Sequence, residues 1–412
     1  MDLPINYNSP LMMHIDLNSC FAIIEQQANP LIRNKPVAIA AYNSPRGAVI
    51  ASSYEAKALG IKLGVNVREA RMLCKDVIVL TPDPEKYFDA HKRFKKVLLN
   101  YTDEVTPKSV DEFVIDFKGS RAVQRGKSLQ EVGYEIKEDI KKELGEYVTV
   151  NVGIGPNRFL AKLAAGLNKP DGLDTINGDN LRDTYEKLKL IDLPGINVRF
   201  QARLNVEGIH TPVQFLDTPA VFLKKRVFKS VVGYYWYMRL RGHEIDNVNY
   251  GRRSFGQQYA LGDKTSDREK ISSLIMKLSE KAGRRMRKNG YYAGGVHLWL
   301  NFENRVYWSK GRKVKAPIYS TQDIFLNIQR LLNEVEIPAR VTNIGVTVFN
   351  LTQATPMQMG LFDDSRIDTR SLAFAADKVN DRYGEFTLTP GNMINMQDII
   401  LKRVAFGSVS EL

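Results

Sequence analysis

Cysteine is nearly absent from this chain: two residues in 412, Cys20 and Cys74. Neither sits in a CxxC or Cys/His spacing, so the sequence offers no zinc-ligand motif and no disulfide framework, and a reducing compartment is expected. Long apolar runs are also missing, and none would span a bilayer. The first residues lack the cationic segment and apolar core of a secretory leader. Internal repeats and low-complexity tracts are absent. These absences set the expectation of a soluble, cytoplasmic protein with no membrane partner. Acidic residues are outnumbered, 46 Asp and Glu against 59 Lys and Arg, for a net charge of +13.

That imbalance is local. Residues 178–252 hold 12 basic and 8 acidic side chains, and residues 253–352 hold 17 and 8, so these two segments supply +4 and +9 and the remainder sums to zero. A basic half joined to a neutral, acid-bearing half suits a polyanionic partner. Charge alone is equally compatible with a solubilising surface.

The neutral half holds the most informative stretch, Ser109-Val110-Asp111-Glu112, which runs straight into the apolar Phe113-Val114-Ile115. A third acid, Asp16, ends a comparable run almost a hundred residues upstream. Carboxylates at the ends of two buried strands can meet in space and hold Mg²⁺, which prefers oxygen ligands and leaves room for phosphate. That arrangement suits two-metal phosphoryl or nucleotidyl transfer.

Periodicity predicts strands at 11–17, 37–41, 48–51, 110–117 and 148–154. It predicts helices at 22–27, 54–59, 67–73, 85–100 and 129–144, and one opened by Pro156 and running to 167. From about 178 the character changes to short helices. A polar connector, 246–252, leads to strand 254–261, helix 267–288, strands 293–301 and 305–311, helix 321–335 and strand 340–351. This is the β-α-β-β-α-β order of the ferredoxin-like split motif. A last helix is expected at 369–382.

The acids do not stand alone. Asp16-Leu17-Asn18-Ser19-Cys20-Phe21 places an aromatic five residues after the acid. Then come Gly47 to Lys57 with Tyr54, Gly153-Ile154-Gly155-Pro156-Asn157, and Lys169-Pro170-Asp171-Gly172. In this order and at these distances the segments resemble the Y-family DNA polymerases, the lesion-bypass group, over roughly residues 12–352. The resemblance is closest to the bacterial polymerase IV and polymerase V catalytic-subunit group, and Asn18 leans toward polymerase V.

The resemblance implies an α+β, multidomain right hand: a palm from 1–20 and 87–177, fingers 21–86, and a thumb with a helix-hairpin-helix over 178–246. A linker at 247–253 would lead to a ferredoxin-like little finger at 254–352, followed by a clamp-binding peptide and tail at 353–412. It implies a low-fidelity, template-directed polymerase that uses dNTP and primer-template DNA for translesion synthesis. Asp16, Asp111, Glu112 and the Leu17 carbonyl would bind two Mg²⁺ ions. Phe21 would be the steric gate against ribose, and Tyr54, Lys57 and Lys169 would contact the triphosphate.

Gly195 and Asn197, in Leu193-Pro194-Gly195-Ile196-Asn197, resemble a helix-hairpin-helix turn that offers backbone N–H groups to phosphate, with Asn197 in place of the second glycine. Lys281, Arg284, Arg285 and Lys313 would grip duplex phosphates. Gln358, Leu361 and Phe362 resemble a sliding-clamp peptide. A polymerase V-like accessory subunit is left open. Two rivals use the same residues: a Mg²⁺-dependent nuclease, which leaves Phe21, Tyr54 and Lys169 unexplained, and a non-catalytic clamp-tethered scaffold, in which the acids would be eroded.

Overall fold

A computed structural model of the protein describes residues 3–120, 126–248, 251–353 and 369–393. The chain divides into two compact units, with the boundary between Val248 and Asn249.

Unit one contains eight of the described strands: β1 (Met12–Leu17), β2 (Val37–Ala40), β3 (Val49–Ser52), β4 (Ile78–Leu80), β5 (Val105–Pro107), β6 (Glu112–Asp116), β7 (Val150–Gly155) and β8 (Leu173–Thr175). Five of them form one sheet in the order β5-β6-β1-β7-β8. Alternation along β1 sets its two faces. Met13 and Ile15 pack with Phe94 of the Pro84–Leu98 helix and with Val132 and Ile136 of the Leu129–Leu144 helix. Met12, on the opposite face, clusters with Val114 and with Ala161 of the Arg158–Leu167 helix.

That second helix lies directly on β7. A Cβ at Gly153 would come within 2.1 Å of the Ala161 carbonyl oxygen and the Ala165 nitrogen, and one at Gly155 within 2.5 Å of the Ala161 nitrogen. The helix begins two residues later than the proline suggested. Asn157 is its N-cap and accepts from the Leu160 N–H at 2.8 Å, which satisfies a donor that the first turn leaves free.

A smaller sheet, β3-β2-β4, carries the Tyr54–Ala58 and Val67–Leu73 helices around Ala38, Val49, Ile61 and Ala70. Residues 181–240 form the expected short helices, packed around Leu204, Phe215, Trp236 and Tyr237. Three strands of three residues each, β4, β5 and β8, had no sequence signal, because so short a run carries almost no period.

Unit two holds β9 (Ser254–Thr265), β10 (Tyr291–Phe302), β11 (Tyr307–Ile318) and β12 (Val341–Gln353), with helices Arg268–Lys288 and Thr321–Asn333. The sheet order is β11-β10-β12-β9, and every neighbouring pair is antiparallel. β9 and β10 therefore run parallel with β12 between them, and β11 and β12 run parallel with β10 between them: two interlocked split β-α-β units. Val296, Leu298 and Leu300 face the helices in the core. On the other face His297 pairs with Thr347, Trp299 with Gly345, and Gly295 with Lys313. The Thr369–Tyr383 helix also belongs to this unit. Among the described residues no helix is long and apolar enough to cross a membrane. Gln358, Leu361 and Phe362 lie outside the described residues.

Candidate active site

Strand register brings the three acids together. Asp16 is the cross-strand partner of Glu112, and the Leu17 N–H donates to the Asp111 carbonyl at 2.9 Å. Directly paired residues point to the same side of a sheet. Asp16, Glu112 and, two residues back along β1, His14 therefore share the face that also bears the Arg158–Leu167 helix.

Each carboxylate has a protein partner. Lys169 pairs with Asp16. Lys162 Nζ donates to both oxygens of Glu112 at 2.8 Å. The Ser109 hydroxyl donates to Asp111 Oδ1 at 2.5 Å. With these pairings, no three His, Cys, Asp or Glu side chains among the described residues are grouped as ligands of one metal ion.

The electrostatics still favour a hard cation. Burial raises the Asp16 carboxyl, against the pull of Lys169, and Asp111 and Glu112 add to the rise. Burial likewise raises Asp111, and Glu112 reinforces it. Burial also pushes Glu112 upward, but its hydrogen bond to Lys162 and that ammonium's charge prevail and hold it below its usual value. Asp16 and Asp111 thus present negative charge that their surroundings do not fully compensate, on oxygen donors suited to a divalent ion. His14, deeply buried, is pushed down to about 3 and is neutral. Its Nδ1 has no hydrogen-bond partner.

Beside Asp16 stands a cationic cradle. Lys57 Nζ donates to Ser19 Oγ at 2.7 Å and sits 4.5 Å from the centroid of the Tyr54 ring. Burial lowers the Lys57 ammonium, and Lys169 lowers it further. The Lys169 loop is held by an amide network that the sequence did not reveal. Asn18 Nδ2 donates to Asn151 Oδ1 at 2.7 Å, Asn151 Nδ2 donates to the Asn168 carbonyl at 3.2 Å, and the Asp171 N–H donates to Asn18 Oδ1 at 2.9 Å. Asn18 also donates to the Tyr54 hydroxyl at 3.3 Å. The residue that sequence marked only as a subgroup feature thus ties the Lys169 loop to Tyr54.

The structure places two further site residues and corrects the left-handed backbone expected at Asn197. Phe21 is fully buried, stacked on Tyr87 at 4.2 Å between centroids. Its helix, Cys20–Ala28, buries every residue from Cys20 to Gln26, so the ring is packed into the core of unit one. Asn197 is not in the left-handed conformation; its backbone is extended, with φ −100°, and it caps the Val198–Val206 helix. Its side chain accepts from the Arg199 and Phe200 N–H groups at 3.1 and 3.0 Å, which removes two of the donors expected to meet phosphate. Gly195 does take positive φ, +93°. It lines a cleft of about 610 Å³ beside Glu112, which Lys108, Arg158, Lys162 and Arg239 also border. Lys162 was not anticipated, because its partner lies on another element fifty residues away.

In unit two, the cations of the Arg268–Lys288 helix are largely committed internally. Arg284 and Lys281 meet acids from residues 377–385, and Arg285 donates to the Gly256 carbonyl at 3.1 Å. Lys313 lies on exposed β11, on the sheet face away from the helices.

The chain matches the impB/mucB/samB family over residues 15–166 and that family's C-terminal domain over residues 252–361. It is 34% identical over 384 residues to DNA polymerase IV of Moorella thermoacetica and 32% over 379 residues to that of Pelotomaculum thermopropionicum; each match covers 90% of this chain and 92% of the relative. DNA polymerase IV of Staphylococcus aureus is 29% identical, with 85% of this chain and 98% of that protein covered. Among solved structures, a Y-family DNA polymerase chimera of Dbh and Dpo4 superposes with a TM-score of 0.70 at 25% identity, over 83% of this chain and 99% of that one. An insertion ternary complex of Dbh DNA polymerase gives 0.58 over the same shares. The chain therefore belongs to the Y-family of DNA polymerases and is a DNA-directed DNA polymerase of the translesion kind.

Proposed function

We propose that this polymerase extends a primer on template DNA at the site formed by Asp16, Asp111 and Glu112, with the five-stranded sheet as palm, residues 21–86 as fingers, 178–246 as thumb and 254–352 as little finger. The observation that carries the assignment is the register of Asp16 opposite Glu112, with Leu17 bonded to Asp111. Two Mg²⁺ ions held by Asp16, Asp111, Glu112 and the Leu17 carbonyl would supply electrostatic stabilisation of the transferring phosphoryl group and a lowered pKa for the primer 3′-hydroxyl.

The chain's own residues do the rest. Lys57, Lys169 and Tyr54 converge beside Asp16 and suit a dNTP triphosphate, which needs cationic and hydroxyl partners. Lys169, paired with Asp16 here, would be free to contact the triphosphate if a cation took that carboxylate. Lys162 orients Glu112 by bonding both of its oxygens. Phe21 forms the floor beneath the incoming sugar from within the core. In unit two, Lys313, Trp299 and His297 offer a polar, cationic sheet face to duplex phosphate. Gln358, Leu361 and Phe362 are proposed as a sliding-clamp peptide on sequence alone. The accessory subunit rests on Asn18 alone, and a cytoplasmic location on the low cysteine content.

Primer extension by the purified chain tests the reading. Nucleotide-dependent elongation on undamaged and abasic templates, requiring Mg²⁺ and lost in Asp111→Asn, is the expected result. Degradation of the DNA without nucleotides would favour a nuclease, and no elongation without a second subunit would favour the polymerase V-like arrangement.

A further inference from the structure

The Arg268–Lys288 helix of unit two meets the Thr369–Tyr383 helix, and the turn that follows it, along a seam of opposite charge. Arg284 Nη2 donates to Asp381 Oδ1 at 2.6 Å, and the guanidinium also lies 3.9 Å from Asp377 and from Glu385. Lys281 Nζ is 3.8 Å from Glu385 and 5.8 Å from the Phe386 ring centroid. Arg287 makes a two-bond fork to Asp377 at 2.6 and 2.8 Å. Asp377 and Asp381, four residues apart, lie on one side of the helix, and Glu385 joins them from the turn just past its end. The segment that carries them is fastened in place. Asn380 is buried and exchanges two hydrogen bonds with the Leu388 backbone, and Met393 sits in the unit's core.

The seam has two layers. In the inner one, Arg287 is only 3% exposed at its side chain and Asp377 15%. Removing either partner would strand a buried charge, so this pair is structural. In the outer layer, Lys281 and Arg284 are covered, 10% and 16% exposed, by acids that are themselves solvent-accessible: Glu385 at 36% and Asp381 at 66%. Pairs of this exposed kind are weak and screened by salt. A phosphate backbone offers the same two cations a denser row of negative charge.

We propose that Asp381 and Glu385 act as an intramolecular stand-in for nucleic-acid phosphate. They keep Lys281 and Arg284 covered, and the outer seam is a second backbone-binding surface that duplex DNA reaches only by displacing them. This surface lies on the helical side of the unit, away from Lys313, so it would take a stretch of backbone distinct from the one on the open sheet face. The proposal rests on the reading that this enzyme binds DNA.

The test uses the full chain and a blunt duplex without a primer terminus. In Asp381→Asn/Glu385→Gln, duplex affinity at low salt should rise about three- to tenfold, and the salt slope should steepen by about one to two. The control, Asp263→Asn/Glu336→Gln, makes the same change in net charge away from the seam and should show little of this gain. Adding Lys281→Gln/Arg284→Gln should abolish the gain. The same two cation changes in the otherwise native chain should leave affinity nearly unchanged, because the cations are covered there. A gain no larger than the control's would overturn the proposal. So would a clear loss of affinity from Lys281→Gln/Arg284→Gln alone, which would show the cations already exposed to DNA. This second measurement needs no alteration of the acidic segment and decides the matter even if that variant folds poorly. A native chain that fails to bind primer-template at all would refute the polymerase reading instead.

Discussion

The Asp111 carboxyl sits in a place that favours its neutral form, since burial and the nearby Glu112 charge both raise its pKa above the usual 3.8. A carboxyl whose folded pKa exceeds its unfolded value binds more protons when folded, so its contribution to stability falls as pH rises through the interval between the two. Asp16 shifts the same way. Asp111→Asn removes that liability while deleting an anionic oxygen. In chelator at pH 7 its melting temperature should match or exceed the wild type's, while primer extension drops at least about a hundredfold. A variant that is both less stable and still active would contradict the assignment. Phe21 poses a different problem. Phe21→Ala would leave a cavity beside Tyr87 and should cost about 3–5 kcal/mol, measured by denaturant unfolding. Phe21→Leu keeps most of the packing, so it is the fair test of sugar selectivity. Increased ribonucleotide insertion by this variant would support a gate, and unchanged selectivity would leave Phe21 a core residue only.

Gly153 shows how one element places the site. It lets the Arg158–Leu167 helix rest on β7 with backbone against backbone, and that contact sets Lys162 over Glu112 and starts the loop that carries Lys169. Gly153→Ala would drive a methyl into the Ala161 carbonyl and the Ala165 nitrogen, neither of which can swing aside as a side chain would. Loss of most soluble folded protein, or a fall in melting temperature of about six to twelve degrees for about 3 kcal/mol, is expected; an intact melting curve would count against the packing argument. Elements of this kind were legible in the sequence where a long period fixed one face. The Leu129–Leu144 helix falls where periodicity put it, and the βαββαβ run of unit two differs mainly in a longer β11. What escaped was contact across elements. The cap at Asn197, the amide chain from Asn18 to Asn168 and the grip of Lys162 on Glu112 depend on which faces meet, and no local pattern encodes that. The sequence showed the charge of the Arg268–Lys288 helix but not its acidic partners, which lie some ninety residues downstream. The three acids stood out because Asp16 lies at the end of one apolar run and Asp111-Glu112 lead straight into another.

Across the whole molecule, chemistry and charge are segregated. Every proposed catalytic and triphosphate-contacting residue lies in unit one, whose sheet and short-helix region have cores made entirely of its own residues. Residues 253–352 of unit two carry +9 of the total +13 and a separate core. A fragment ending at Val248 should therefore fold and keep the active face, yet lose most of the electrostatic attraction to DNA. Its affinity for primer-template should fall at least about tenfold at moderate salt, with a shallower dependence on salt because fewer counterions are released on binding. Lys313→Ala in the full chain should make a small part of the same change, lowering the slope by about one. At low salt and high DNA concentration, where binding no longer limits, the fragment should still add nucleotides in an Asp111-dependent manner. If the folded fragment binds primer-template as tightly as the full chain, the basic half is not the DNA anchor. If it binds but cannot extend, unit two supplies something to catalysis beyond charge.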